Sequence, residues 1–280
     1  MAQLDTWEPA GRWTLRVGQV GPVHDDPHRS GSAALTVARM LADPVFARWV
    51  TAGIDAPEAR VDPRTEAERF TAHSEQVRHR TNGWRGADGR PNLPWPSRAD
   101  TSPFGARVEL EHGAARAGAR YVIAPLRRRN GDQLREVHAG LLERVGDGLP
   151  ALLAVGDRWT PRHWVLVIDA PGGGALTVYD PADGSVRVRG RHQWVGRSLQ
   201  LGGWDLPWVV VLPRNAPVRG GVVVQRWRAV RTVPRGATTL PSVRRVHPQT
   251  RLCQSADQPL GTGTSSTSRT STPVPSGLST

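Results

Sequence analysis

The sequence predicts an α+β protein in which helices precede an antiparallel sheet. Two observations lead there. Through the first half of the chain, apolar residues recur at helical spacing between capping and breaker residues. After "GLLERVGDG" the period changes, and "LPALLAVGD", "HWVLVIDA", "ALTVYDP", "SVRVRG" and "WVVVLP" are short apolar or alternating runs divided by Gly, Pro and Asp. Helices grouped ahead of strands argue against βαβ repeats.

The first segment, "WTLRVGQVGPV", has a strand-like pattern that ends in a Gly-Pro turn. A helix follows in "SAALTVARMLADPVFARWVTAG", where Leu35, Val37 or Ala38, Leu41, Val45, Phe46 and Trp49 give an apolar stripe. Asp43-Pro44 divides it in two, because the residue before a proline avoids the helical region. Gly53 is positioned to end the second half. "DPRTEAERFTAHSEQVRHRTNGW" begins with a turn signal and an acidic first turn, and should stop near Asn82-Gly83.

Residues 84–104 form a Pro/Gly-rich loop whose two tryptophans are expected to pack onto the body. Thr101 or Ser102 caps the next helix, Pro103 takes its first position, and Gly113 or Gly118 ends it. "RYVIAPL" is a strand, and "GDQLREVHAGLLERVGDG" a helix with Leu134, Val137, Leu141 and Leu142 on one face. The domain is expected over residues 1–213, with its core at about 12–213. Residues 214–280 read as an Arg-rich and then Ser/Thr/Pro-rich tail with too little apolar surface to fold.

Composition narrows the function. The 280 residues carry a net charge of +12, and every one of the 37 basic residues is arginine. Residues 214–280 hold ten Arg against one acid, which leaves 27 Arg and 24 acids in residues 1–213. The body is thus nearly balanced, and the excess charge belongs to the tail. A basic tail that contacts nucleic acid or another polyanion is the alternative function, testable by the salt dependence of binding with and without residues 214–280. The single cysteine, Cys253, excludes a disulfide framework and any multi-cysteine zinc site. No long uncharged apolar run suggests a membrane span, and the N-terminal segment lacks the apolar stretch of a secretory leader, so a cytoplasmic protein is expected. The "PGGGA" turn is not followed by a phosphate-loop lysine, and no cofactor is expected.

Three pieces occur in a suggestive order. Ser30-Gly31-Ser32 opens a helix, His163 starts a strand, and Asp180 ends the following strand 17 residues on. Adjacent antiparallel strands bring His163 and Asp180 together, where Asp180 can accept the ring N–H and fix the tautomer. A nucleophile at a helix start gains backbone donors for an oxyanion. Each residue also has a plainer reading. Ser30 or Ser32 serves as a helix cap, His163 as a half-buried strand histidine, and Asp180-Pro181 as a turn starter. His24, Asp25, Asp26 and His28 are metal ligands by type, but they lack a second half at defined spacing, so no metal is expected.

With these residues in view, the chain resembles the bacteriocin-processing (double-glycine leader) peptidases and their papain-like relatives. "SGSAALTVARML" falls where that family has Cys-Gly and a small-residue helix, "RHWVLV" matches its His strand, and "VYDPADG" its Asp-Pro-x-x-Gly. The run from "PRHWVLVID" to "GGWDLPWVVVLP" is similar to papain-like domains of actinobacterial type, over roughly residues 12–213. The resemblance implies a papain-like fold with Ser30 at the nucleophile position, His163 as base and Asp180 as its orienter. It places His24 where the family's oxyanion Gln stands, six residues earlier, with Gln19 a further candidate and the Gly31 amide beside the nucleophile. A helix start and a His⁺ neighbour lower a thiol's pKa, but they do not ionise a serine. The expectation is therefore an impaired peptidase-fold protein that binds a peptide or protein ligand in its cleft. Ser30→Cys should become reactive to alkylation, fastest with His163 intact.

Overall fold

The computed structural model describes residues 11–214 apart from 25, 56–59, 97 and 98. These residues fall within one of the two units of the chain, Met1–Gln225. The expectations for the segment after Arg214, the Arg-rich tail and Cys253 included, lie outside the described residues.

Helix α1 (Ser30–Ala42) stops at Asp43, whose extended backbone and side chain cap α2 (Pro44–Ala52) through the amides of Val45 and Phe46. Gly53 ends α2 in the left-handed region at φ 72°. A short antiparallel pair, β1 (Ile54–Asp55) with β2 (Arg60–Val61), leads to α3 (Glu66–Asn82). A reciprocal capping box between Thr65 and Glu68 begins α3, so the cap is Thr65 rather than the earlier Asp-Pro. Ser102 caps α4 (Pro103–Glu109), which runs on into one wide turn over Leu110–Ala114.

Strand β3 (Tyr121–Pro125) precedes α5 (Gly131–Arg144). Then come β4 (Ala151–Gly156), β5 (Pro161–Gly172), β6 (Ala175–Tyr179), β7 (Val186–Gly190), α6 (Arg191–Gly196) and β8 (Leu206–Pro213). The six longer strands form one antiparallel sheet in the order β3-β8-β4-β5-β6-β7. The molecule is α+β, as its sequence predicts.

The sheet is covered on both faces. Leu152, Ala154, Trp164, Leu166 and Val211 join a core with residues of α1–α4. The alternate residues Ala151, Leu153, Val155, Val165, Val167 and Val210 pack with Leu134, Val137 and Leu141 of α5 and Trp194 of α6. Central strands flanked on both sides need apolar residues at every position, which explains why "ALLAVG" is buried throughout. Each Leu or Val among them contributes roughly 1.5–3 kcal/mol when fully buried.

Two expectations are corrected. "WTLRVGQVGPV" forms no strand; it follows the sheet's edge by isolated contacts such as the Val20–Ser185 bridge, because turn residues 17 and 18 interrupt its pairing. Of the tryptophans in the 84–104 loop, Trp95 is half-buried, whereas Trp84 is 77% exposed and does not anchor it. Helix α5 follows β3 as the sequence order predicts, and α5 and α6 cover the sheet's second face. No helix among the described residues is long and apolar enough to cross a membrane.

Candidate functional site

Helix α1 is the innermost helix, with Ser30 through Ala38 all buried, and it packs against α3 and β5. Small residues permit that approach. A Cβ on Gly31 would lie 2.5 Å from Thr101 Cβ, so only glycine lets the loop before α4 cross the helix start. Neither Ser30 nor Ser32 caps α1. The N-cap residue is Arg29, without a side-chain bond, and Ser32 Oγ donates to the Arg29 carbonyl at 3.0 Å. The helix-cap reading of these serines is therefore corrected: the start of α1 is satisfied from another part of the chain.

That partner is Asp100. Its carboxylate accepts a hydrogen bond from Ser30 Oγ. It also accepts from the Gly31 amide at 3.2 Å and from its neighbour Thr101's amide at 2.6 Å. Ser30 Oγ in turn accepts from the Trp164 amide at 2.8 Å, which ties the helix start to strand β5 one residue beyond His163.

His163 and Asp180 meet as the strand pairing predicts. Leu166 of β5 pairs with Tyr179 of β6, and this register brings the residue after Tyr179 beside the start of β5. His163 Nε2 lies 2.7 Å from Asp180 Oδ1. An ionised carboxylate only accepts, so the ring N–H at Nε2 is the donor. Burial pushes the Asp180 carboxyl upward, but the His163 hydrogen bond and charge, with the amides of Ala182 and Gly202, outweigh it and hold the carboxyl below its ordinary range. The Gly202 amide donates to Oδ2 at 2.6 Å and the Ala182 amide to Oδ1 at 3.0 Å. Gly202 lies flat on the imidazole: a Cβ there would stand 2.3 Å from His163 Cδ2, and its φ of +54° suits glycine.

Ser30 and His163 are close neighbours through Trp164, yet no hydrogen bond joins them. The Ser30 proton goes to Asp100. Burial raises the Asp100 carboxyl above its ordinary range, opposed by the Ser30 hydroxyl, the Thr101 and Gly31 amides and the charge of His163. Ser30 and His163 are only 4% and 6% exposed.

The remaining candidates sit around this centre. The His24 amide donates to the Pro181 carbonyl at 3.2 Å, and His24 Nδ1 accepts from the Asp26 amide at 3.1 Å. Gln19 Oε1 accepts from the Arg16 amide at 2.5 Å, within a local turn. The hydrogen bonds of Ser30 itself run to Asp100 and Trp164. The Gly31 amide, the third donor candidate, is spent on Asp100. His28 is exposed, and among the described residues no group of three or more His, Cys, Asp or Glu is placed to hold a metal ion. Asp25 lies outside the described residues.

Asp100 and Gly202 are the residues that sequence reasoning missed. Asp100 lies 70 residues from Ser30 in a loop where an aspartate reads as a turn former. Gly202 had a weak signal: the pair Gly202-Gly203 in front of a strand marks a backbone of unusual conformation.

No family model matches the chain, and no curated protein is similar to it. Among solved structures, it is similar to the Pseudomonas avirulence protein AvrPphB at 13% identity, over 69% of this chain and 95% of that one. The TM-score is 0.35, and at that level the likeness carries no argument.

Proposed function

We propose that this protein is a papain-like, peptidase-type domain, akin to the bacteriocin-processing peptidases, that has lost efficient catalysis and binds a peptide or peptide-like ligand at the Ser30–His163 centre. One observation carries the reading. An imidazole oriented by a buried aspartate is carried one residue before Trp164, whose amide reaches the start of a buried helix, and there the hydroxyl of Ser30 bonds to a carboxylate. The first half of that arrangement is part of what acyl-transfer chemistry needs: an imidazole oriented by a carboxylate. The second half withholds it. A serine must lose its proton to the base during attack, and here that proton is held by Asp100.

Binding is testable on the full chain with a phage-displayed random peptide library. The peptides recovered are then made with a photoreactive benzophenone residue, and their cross-links are mapped by mass spectrometry. We expect cross-links at residues 30–32, 99–102 or 163–164. Recovery of no peptide, or cross-links confined to other surfaces, overturns the reading.

A further inference from the structure

A serine at the position of a peptidase nucleophile would not by itself account for the geometry around Ser30. The carboxylate of Asp100 takes up three donors at once: the Ser30 hydroxyl, the Gly31 amide and the Thr101 amide. Two of these belong to the start of α1, where a peptidase would stabilise negative charge on its nucleophile and on the oxyanion of its substrate. The approach is built in, since Gly31 leaves room for Thr101 to lie directly on the helix and Ser102 caps the next helix immediately after.

Resting on the reading of this centre as peptidase-like, we propose that Asp100 is its fourth member: a positioning residue that occupies the anion position at the start of α1 and makes the centre reject negative charge at residue 30. Any ligand group that reaches Ser30 must then be neutral or cationic. An acyl oxyanion would meet a carboxylate in place of a donor. The residue facing this centre from each side is charged or titratable: Asp100 from the loop, His163 and Asp180 from the sheet, with Arg187 Nη1 3.9 Å from Asp180. Arg29, next to Ser30 in sequence, is paired with Asp26 and Glu75.

The test uses the full chain carrying Cys253→Ser, so that the only thiol is the one introduced by Ser30→Cys. The probe is iodoacetamide, which is uncharged; the introduced thiolate displaces iodide and forms a thioether. Rates are measured from pH 5 to 9 in Ser30→Cys, in Ser30→Cys with Asp100→Asn, and in each with His163→Ala. With Asp100 intact, the thiol should titrate at or above the ordinary cysteine value of roughly 8.5. Asp100→Asn keeps the shape and removes the charge. It should lower the apparent pKa by at least about one unit and raise the rate at pH 7 by about tenfold. His163→Ala should reverse most of that gain.

The proposal is overturned if Asp100→Asn changes neither the rate nor the titration. It is also overturned if the introduced thiol titrates well below the ordinary value while Asp100 is present, a result that needs no folded Asp100 variant. The two readings fail separately. Acceleration by Asp100→Asn without any effect of His163→Ala removes the peptidase-like pairing and leaves the role of Asp100. Slowing by His163→Ala in a protein indifferent to Asp100→Asn does the reverse.

Discussion

His163 is held by contacts that a single methyl group would disturb. Gly202 supplies an amide to Asp180 and lies against the ring that Asp180 orients. Gly202→Ala would place a Cβ 2.7 Å from Nε2 and force alanine into the left-handed region. We predict a loss of about 1–3 kcal/mol in unfolding free energy, read by denaturant titration. The wild type is expected to show an exchange-protected ring N–H signal for His163 by proton NMR, and the variant to lose it. An unchanged signal would show that Gly202 does not set the ring. At this scale His163 and Asp180 were legible, because a 17-residue spacing across one hairpin fixes which residues meet. Asp100 was not, because its contact with Ser30 depends on how a long loop without periodicity returns to α1. The loss of the cap reading has the same origin: a serine at a helix start looks alike whether it caps its own helix or bonds to a distant side chain.

Among the elements, breaks and caps were more legible than pairings. Asp43-Pro44, Gly53 and Ser102 act locally, and the structure uses each as its chemistry dictates. The segment "WTLRVGQVGPV" misled because alternation predicts a strand only where a partner edge is within reach. Helix α6 escaped notice because six residues are too few to show a period. Helix α3 carries a further consequence. His73 packs on Phe46 with ring centroids 4.5 Å apart, and burial, followed by the charges of Arg39 and Arg80, pushes it down to about 3. His138 on α5, beside Trp194, is pushed down to about 4 by burial and Arg191. Both are neutral in the folded state where the unfolded chain, with an ordinary value of about 6.5, takes up a proton. Below that pH the unfolded state binds more protons, so stability falls as pH drops from about 6.5 toward the folded values. Each histidine contributes up to about 1.4 kcal/mol per pH unit in that window. Denaturant titrations between pH 7 and 5 should show the decline, and His73→Gln should reduce its slope. A slope unaffected by His73→Gln would show that its ring is hydrated in the folded protein.

For the molecule as a whole, the change from helical to strand period predicted an α+β plan, and the unbroken apolar run of β4 carried a hint that the sheet is covered twice. The site lies where the two halves of that plan meet, with the start of α1 against β5 and the loop before α4 laid across both. Because Ser30, Asp100 and His163 arrive from three separate stretches of chain, the pairing of hydroxyl with carboxylate is a property of the assembled molecule. The central claim, that this centre is peptidase-like in plan and impaired in chemistry, is tested most directly by product analysis. The full chain is incubated with a mixed peptide pool, and the products are compared by mass spectrometry with those from Ser30→Ala. The account predicts identical profiles at neutral pH. Cleavage products that appear with the wild type and vanish with Ser30→Ala would contradict it.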